Sequence, residues 1–208
     1  MFQRINKIKH RIVRHTKYAL RYFLLEKPNG LDFTMRDTHL LREGNGLHGY
    51  SKTDDKHLKK IFETLQIIEE DCLLDIGCGK GGVLKEAAAY PFKRIVGIDI
   101  DSRLIRIAQN NFEVLKLSDR IEVTTADALA YQEYGQFNIF FLFNPFGEDI
   151  LRIVIDRLTK ENVDKKRVFI IYHNPVYHQV IEDTGHCTKL KELYDPEKQY
   201  KTYIYGMQ

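Results

Sequence analysis

The stretch LLDIGCGKGG, residues 73–82, decides the fold. A short apolar run reaches Asp75 and Ile76, then breaks into Gly77, Gly79, Gly81 and Gly82. Glycine has no Cβ and accepts φ > 0, so this run predicts a tight strand-to-helix turn where backbone approaches a ligand. The helix expected next is GGVLKEAAAY, stopped by Pro91. Gly77-x-Gly79-x-x-Gly82 alone also fits a dinucleotide, whose pyrophosphate rests on a helix N-terminus.

Outward from this loop, strands and helices alternate. KRIVGID, RIEVTT, FNIFFLF and KRVFIIYH read as strands. FNIFFLF is apolar at nearly every position, as expected where both sheet faces are covered. Between them, SRLIRIAQNNFEVLKL reads as a helix with Leu104, Ile107, Ala108 and Leu115 inward. ALAYQEY, EDILRIVIDRL and PVYHQVIED read as further helices. HCTKLKELY and QYKTYIYGM read as a final pair of edge strands. The alternation predicts a doubly wound α/β protein with a mostly parallel sheet. Ligands then bind at the carboxyl ends of the strands, near the switch point.

Acids stand at three successive strand ends: Asp75, Asp99 and Asp127. One aspartate at a strand end is usually a helix cap. Three with glycines between them suit a nucleoside, whose hydroxyls and amines need acceptors.

Upstream, residues 2–25 read as an amphipathic helix, ended by Pro28-Asn29-Gly30. Residues 1–27 hold eight Lys/Arg and one acid, a net of +7, whereas the other residues net −4 and the whole chain +3. Such an arm suits an anionic membrane surface or an acidic partner, and equally a helix packed on the domain. The acidic remainder argues against a broad nucleic-acid surface. A second helix is expected from Asp54 or Asp55 to Ile68, with Leu58, Ile61, Phe62 and Leu65 inward. Three cysteines without a CxxC argue against a disulfide framework or a zinc site, and a cytoplasmic protein is the expectation. No apolar run reaches the ~18 residues that span a bilayer.

Residues 72–146 resemble the class I S-adenosylmethionine-dependent methyltransferases. LLDIGCGKGG, IVGIDID, TTADAL and FLFNPF resemble that family's first four motifs, in order. The resemblance implies a seven-stranded Rossmann-like sheet with an N-terminal helical extension. It divides the chain into a basic helix with a cofactor-covering loop, 1–53, and a cofactor-binding domain, 54–208. It implies S-adenosylmethionine as cofactor and S-adenosylhomocysteine as product. The residues implied to hold it are Asp75, Gly77, Cys78, Gly79, Asp99 for the ribose, Asp127 for the adenine, and Ile100, Ala128 and Asn144. In GNGLHGYSKT, Tyr50 and Thr53 match a segment that covers the methionine end in such enzymes.

In amine-methylating relatives the fourth motif reads Asp/Asn-Pro-Pro-aromatic. Here Asn144 and Pro145 match, but Phe146 replaces a proline and Gly147 the aromatic. Asn144, Pro145 and Phe146 are candidates to face the acceptor. His173, after the strand VFIIY, and His48 are candidate bases for a hydroxyl acceptor, with Tyr172, Asn174 and Tyr177 beside them. The altered motif and the lack of an added recognition domain lead to a small-molecule or glycan-type acceptor as the expectation. An amine on a protein or nucleic acid is the alternative, and an NAD-dependent oxidoreductase the further one.

Overall fold

Leu73 and Leu74 are neighbours in sequence, and neither is exposed to solvent. Successive side chains on a strand point to opposite faces, so both faces of this strand are covered. Leu73 packs into one hydrophobic core and Leu74 into the other. Ile139 and Phe141 join the first core, and Phe140 and Leu142 the second. Burying each such side chain contributes about 1.5–3 kcal/mol, which explains why the apolar runs become central strands.

A computed structural model of the chain describes residues 13, 15–35 and 49–208. The strands are β1 (Cys72–Ile76), β2 (Arg94–Asp99), β3 (Glu122–Thr125), β4 (Ile139–Phe143), β5 (Phe169–His173), β6 (Cys187–Asp195) and β7 (Tyr200–Met207). The main helices are α1 (Asp55–Leu65), α2 (Gly82–Ala87), α3 (Ser102–Val114) and α4 (Glu148–Asn162), with a short α5 (Gln179–Glu182). The seven-stranded sheet has the order β3-β2-β1-β4-β5-β7-β6. Strands β1 to β5 pair in parallel; β7 runs antiparallel to β5 and β6. After β1 the chain winds outward to β3, then returns to place β4 on the other side of β1. The carboxyl ends of β1 and β4 are therefore the switch point, where a crevice opens.

At the opposite ends of the strands, Asp71 clamps the sheet. Its carboxylate accepts from Arg167 Nε at 2.8 Å and Nη2 at 2.9 Å, Asn138 Nδ2 at 2.7 Å and the Ile68 N–H at 3.0 Å. Asn138 in turn accepts the Cys72 N–H at 2.7 Å. The starts of β1, β4 and β5 are thus tied by one buried carboxylate.

Three expectations change. ALAYQEY forms turns, with a single 3-10 turn at Tyr134–Gln136. This crossover must carry the chain from β3 past two strands to β4, roughly 14 Å at sheet spacing, and a compact helix covers only ~1.5 Å per residue. On α3 the buried positions are Leu104, Ile105, Ala108, Asn111 and Phe112, with Ile107 and Leu115 only half-buried. Asn111 turns inward because its amide accepts the Asp32 N–H and donates to the Asp32 and Lys80 carbonyls. In the N-terminal helix, Leu20, Phe23, Leu24 and Leu25 are exposed while Glu26 is buried. Glu26 accepts the N–H groups of Phe33 (2.9 Å) and Thr34 (2.8 Å), the Thr34 hydroxyl and Arg21 Nε. A 3-10 turn at Lys27–Asn29 and Gly30 at φ +72° end that helix, as Pro28-Asn29-Gly30 predicts. Residues 2–12 and 14 of the expected arm lie outside the described residues. No helix among the described residues is long and apolar enough to cross a membrane.

Candidate active site

The turn after β1 is built by two kinds of restraint. The Gly77 and Cys78 N–H groups donate to the Ile98 carbonyl at 2.9 and 3.0 Å, stitching the turn to β2. Gly79 then takes φ +54°, and a Cβ there would sit 2.2 Å from the Tyr50 ring. Only glycine lets this tyrosine lie on the loop. The Tyr50 hydroxyl donates to the Phe33 carbonyl, and the Lys80 ammonium pairs with Asp32 at 2.7 Å. Residues 26–35 are thereby fastened to the loop and to Tyr50 above it.

Asp99, ending β2, accepts the Gly79 N–H with Oδ2 and the Asp101 N–H with Oδ1, both at 2.9 Å. Burial pushes its carboxyl up from the ordinary range, partly offset by those amides. Asp75, ending β1, is 2% exposed and its Oδ2 has no hydrogen-bond partner. Burial, with the Asp99 charge beside it, pushes the Asp75 carboxyl well above its usual value. Thr53 Oγ1 is likewise buried and unpartnered.

These groups face one cavity of about 500 Å³, within the range of small-molecule sites. Tyr50, Thr53, Asp75, Gly77 and Cys78 line it on the β1 side. Asp99, Ile100, Asp127 and Ala128 line it from β2 and β3, and Asn144, Pro145 and Phe146 from β4. Gly79 lies beneath Tyr50 rather than on the wall. Asp127 is exposed at the rim, where its Oδ1 accepts the Leu129 N–H at 2.9 Å. Cys78 is a buried free thiol raised by burial, which makes it a poor nucleophile.

The acceptor side is set by Asn144. It takes φ +40°, a left-handed conformation that asparagine tolerates better than most residues. Its Oδ1 accepts the Tyr172 hydroxyl at 2.8 Å. Pro145 packs against Gly77, 3.0 Å from where a Cβ would stand. Phe146 is 7% exposed and sits in the second core, showing the cavity one edge. Asn174 also lines the cavity; Tyr172 and Tyr177 do not.

His173 does not face the cavity. Its ring is wholly buried, with Nδ1 at 2.7 Å from Thr202 Oγ1. Phe143 and Tyr200 pack on that ring, and those two residues line the cavity instead. The strand end predicts only where the backbone points; whether a ring faces the crevice depends on its neighbours. His48 lies outside the described residues. Lys52 and Tyr200 line the cavity without any signal in the sequence. Lys52 precedes α1, and Tyr200 arrives because antiparallel β7 starts at the edge where the parallel strands end.

Among the described lining residues the acids are Asp75, Asp99, Asp101 and Asp127, and the one basic side chain is Lys52. Lys52 is paired with Asp55 at 2.6 Å. This set of acceptors suits hydroxyl and ammonium groups and repels a pyrophosphate. The unpartnered Asp75 oxygen fits a ligand that carries such donors. S-adenosylmethionine does, with no phosphate.

The chain matches the family model described as conserved hypothetical protein 95 over residues 48–204. The chain belongs to this family of class I S-adenosylmethionine-dependent methyltransferases. The family's cofactor settles the ambiguity of the glycine spacing, against a dinucleotide. Over 94 residues the chain is 35% identical to the rRNA N(6)-adenosine-methyltransferase metl-5 of Caenorhabditis elegans, covering 43% of this chain and 44% of that protein. Over 162 residues it is 30% identical to the ribosomal protein L11 methyltransferase of Desulfitobacterium hafniense, covering 74% and 49%. The chain thus spans less than half the length of either relative. The fold matches an RNA methyltransferase from Salinibacter ruber, solved with S-adenosyl-L-homocysteine, at a TM-score of 0.57 and 16% identity, covering 76% of this chain and 94% of that one.

These relatives overturn the expected small-molecule or glycan-type acceptor, and with it the expectation against nucleic acid. The relatives reported above are named for rRNA and for a ribosomal protein. The altered fourth motif was a poor guide to the acceptor because Phe146 serves the second core as well as the cavity wall.

Proposed function

We propose that this protein transfers a methyl group from S-adenosylmethionine to an amine of a macromolecule, with a ribosomal RNA base as the first substrate to test. The carrying observation is Asn144. It stands at the end of β4 with its amide oriented by Tyr172, and no histidine lines the cavity among the described residues. A hydroxyl acceptor needs a base to remove its proton. An amine needs acceptors that hold its N–H groups and aim its lone pair, which an asparagine amide and strand-end carbonyls supply.

In this reading Asp75 takes the cofactor's ammonium or hydroxyl donors, Asp99 its ribose, and Asp127 with Ala128 its adenine. Ile100 covers one face of the purine. Gly77, Cys78 and Gly79 bring backbone close, while Tyr50 and Thr53 close the methionine end. The segment through residue 53 acts as arm and cover, and residues from 54 onward as the binding domain. Bound S-adenosylmethionine supplies an electrophilic methyl group for in-line displacement. The chain's contribution is to fix the amine on that line and exclude water. Pro145, packed on Gly77, and the edge of Phe146 form the wall beside the transferring methyl.

A second reading, a ribosomal-protein amine, is favoured by the L11 methyltransferase relatives. The test is incubation of the chain with methyl-labelled cofactor and ribosomal subunits, followed by separation of RNA from protein. Label in RNA, at an exocyclic base amine, is the expected result. Label in protein alone moves the assignment to the second reading. Label in neither, with small hydroxylic acceptors methylated, defeats both.

A further inference from the structure

Behind the aromatic wall of the cavity lies a second polar cluster that methyl transfer leaves unused. His57 from α1, His173 from the end of β5, Asp195 from the end of β6 and Thr202 from β7 meet there. His57 is 3% exposed and the other three are fully buried. His57 Nε2 and His173 Nδ1 lie 2.6 and 2.7 Å from Thr202 Oγ1. Asp195 Oδ1 accepts the N–H groups of Glu197 and Lys198 at 2.9 and 3.0 Å.

The remaining atoms of His173 and Asp195 are the anomaly. His173 Nε2 and Asp195 Oδ2 face each other at 3.6 Å, and neither has a hydrogen-bond partner. A charge-assisted hydrogen bond would draw them to about 2.7–2.9 Å. Buried polar groups left unmade in this way are rare and call for an explanation. Two ligands of one tetrahedral ion, at bonds of about 2.0–2.1 Å, stand roughly 3.4 Å apart. The observed gap matches that spacing. One donor atom from each of His57, His173 and Asp195 lies within 4.8 Å of the other two.

We propose that His57, His173 and Asp195 form a buried site for a divalent transition-metal ion, zinc foremost. His173 Nε2 and Asp195 Oδ2 are its fixed ligands. The far side of each is already anchored, His173 by the threonine hydroxyl and Asp195 by two backbone amides, the outer arrangement that orients metal ligands. His57 completes the trio by turning its ring from Thr202 to the ion. Nitrogen and oxygen donors without thiolate suit zinc and its neighbours. The sequence offers no sign of this site, because its ligands lie 138 residues apart and carry no local spacing. Three protein ligands leave the fourth tetrahedral position to a water molecule, and closure from bulk solvent gives the ion a structural role. It joins α1, β5 and β6 directly behind Phe143 and Tyr200, and so steadies the wall that both present to the cavity. The charged groups around the cluster are Asp54 and Lys60 near His57, Asp54 near Asp195, and Lys198 near His173.

The test uses the full chain with any affinity tag removed, loaded with zinc or cobalt(II) and desalted. The expected result is about one ion per chain by mass spectrometry, with visible bands of tetrahedral cobalt and no thiolate charge-transfer band. Asp195→Asn should abolish the bands, and His186→Ala, at an exposed histidine away from the cluster, should keep them. Substoichiometric metal, a thiolate band, or bands that survive Asp195→Asn would overturn the proposal. If Asp195→Asn does not fold, the melting temperature of the unmutated chain decides: it must rise with zinc and fall back with chelator, and no rise overturns the site.

Discussion

At the residue scale, the cavity depends on a few positions whose chemistry is separable. Gly79 holds φ +54° beneath the Tyr50 ring. Gly79→Ala would force a Cβ into that ring, so affinity for S-adenosylhomocysteine should drop at least ~10-fold, about 1.4 kcal/mol. Calorimetric titration measures it, and unchanged affinity would show that Tyr50 does not close the site. Asn144 tests the other half. Asn144→Ala should lower kcat by about 10²–10³, the scale of losing one oriented polar group at a reacting centre, with cofactor affinity intact. Weak cofactor binding with normal turnover at saturation would sink its acceptor role. Tyr172→Phe removes only the hydroxyl that orients the amide. It should cost less than Asn144→Ala, in kcat rather than in cofactor affinity.

At the element scale, the sheet is held at its amino end and works at its carboxyl end. Burial alone would raise the Asp71 carboxyl, but Arg167, the Ile68 N–H and the Asn138 amide together hold it below its ordinary value. A carboxyl depressed in the folded state stabilises above its unfolded pKa, about 3.9, and loses that contribution as pH falls through the folded value. Asp71→Asn should therefore destabilise at pH 7 by about 1–3 kcal/mol, the scale of losing hydrogen bonds to a charged group. The difference should shrink as pH falls below about 4. Chemical denaturation of both proteins at several pH values checks this, and a pH-independent gap would refute the ionic account. The strands meeting at this clamp were legible because apolar runs of five residues between turn signals have few other uses. The crossover at 126–138 and the inward face of α3 were not. The first is ruled by the distance to be crossed, and the second by Asn111, a polar residue buried for its hydrogen bonds to Asp32 and Lys80.

At the scale of the whole molecule, the cavity holds a carboxyl whose ionisation is unfavourable. The Asp75 carboxyl is raised in the folded chain by burial first and by Asp99 second. Protonation therefore favours the folded apoprotein, and this contribution is lost as pH rises through the raised value. A ligand bringing hydroxyl or ammonium donors to that carboxylate restores it. S-adenosylhomocysteine should raise the melting temperature more at neutral pH than at pH 5, and Asp75→Asn should flatten the difference. Scanning fluorimetry across that range decides, and a larger shift in acid would contradict the assignment.

The sequence by itself determined the class of fold, the order of its strands and the strand ends that frame the cavity. It could do so because burial on both faces demands apolar runs, and tight turns demand glycine. That Asp75, Asp99 and Asn144 meet at one cavity was legible for the same reason: a parallel sheet delivers every strand end to one edge. Only the tertiary structure decided which side chains turn toward that edge. It sent Phe146 into the core and His173 away from the cavity, and it brought Tyr200 in through an antiparallel strand. It also drew His57, His173 and Asp195 into one buried cluster. Those outcomes rest on contacts between residues far apart in the chain, and no local pattern of polarity records them.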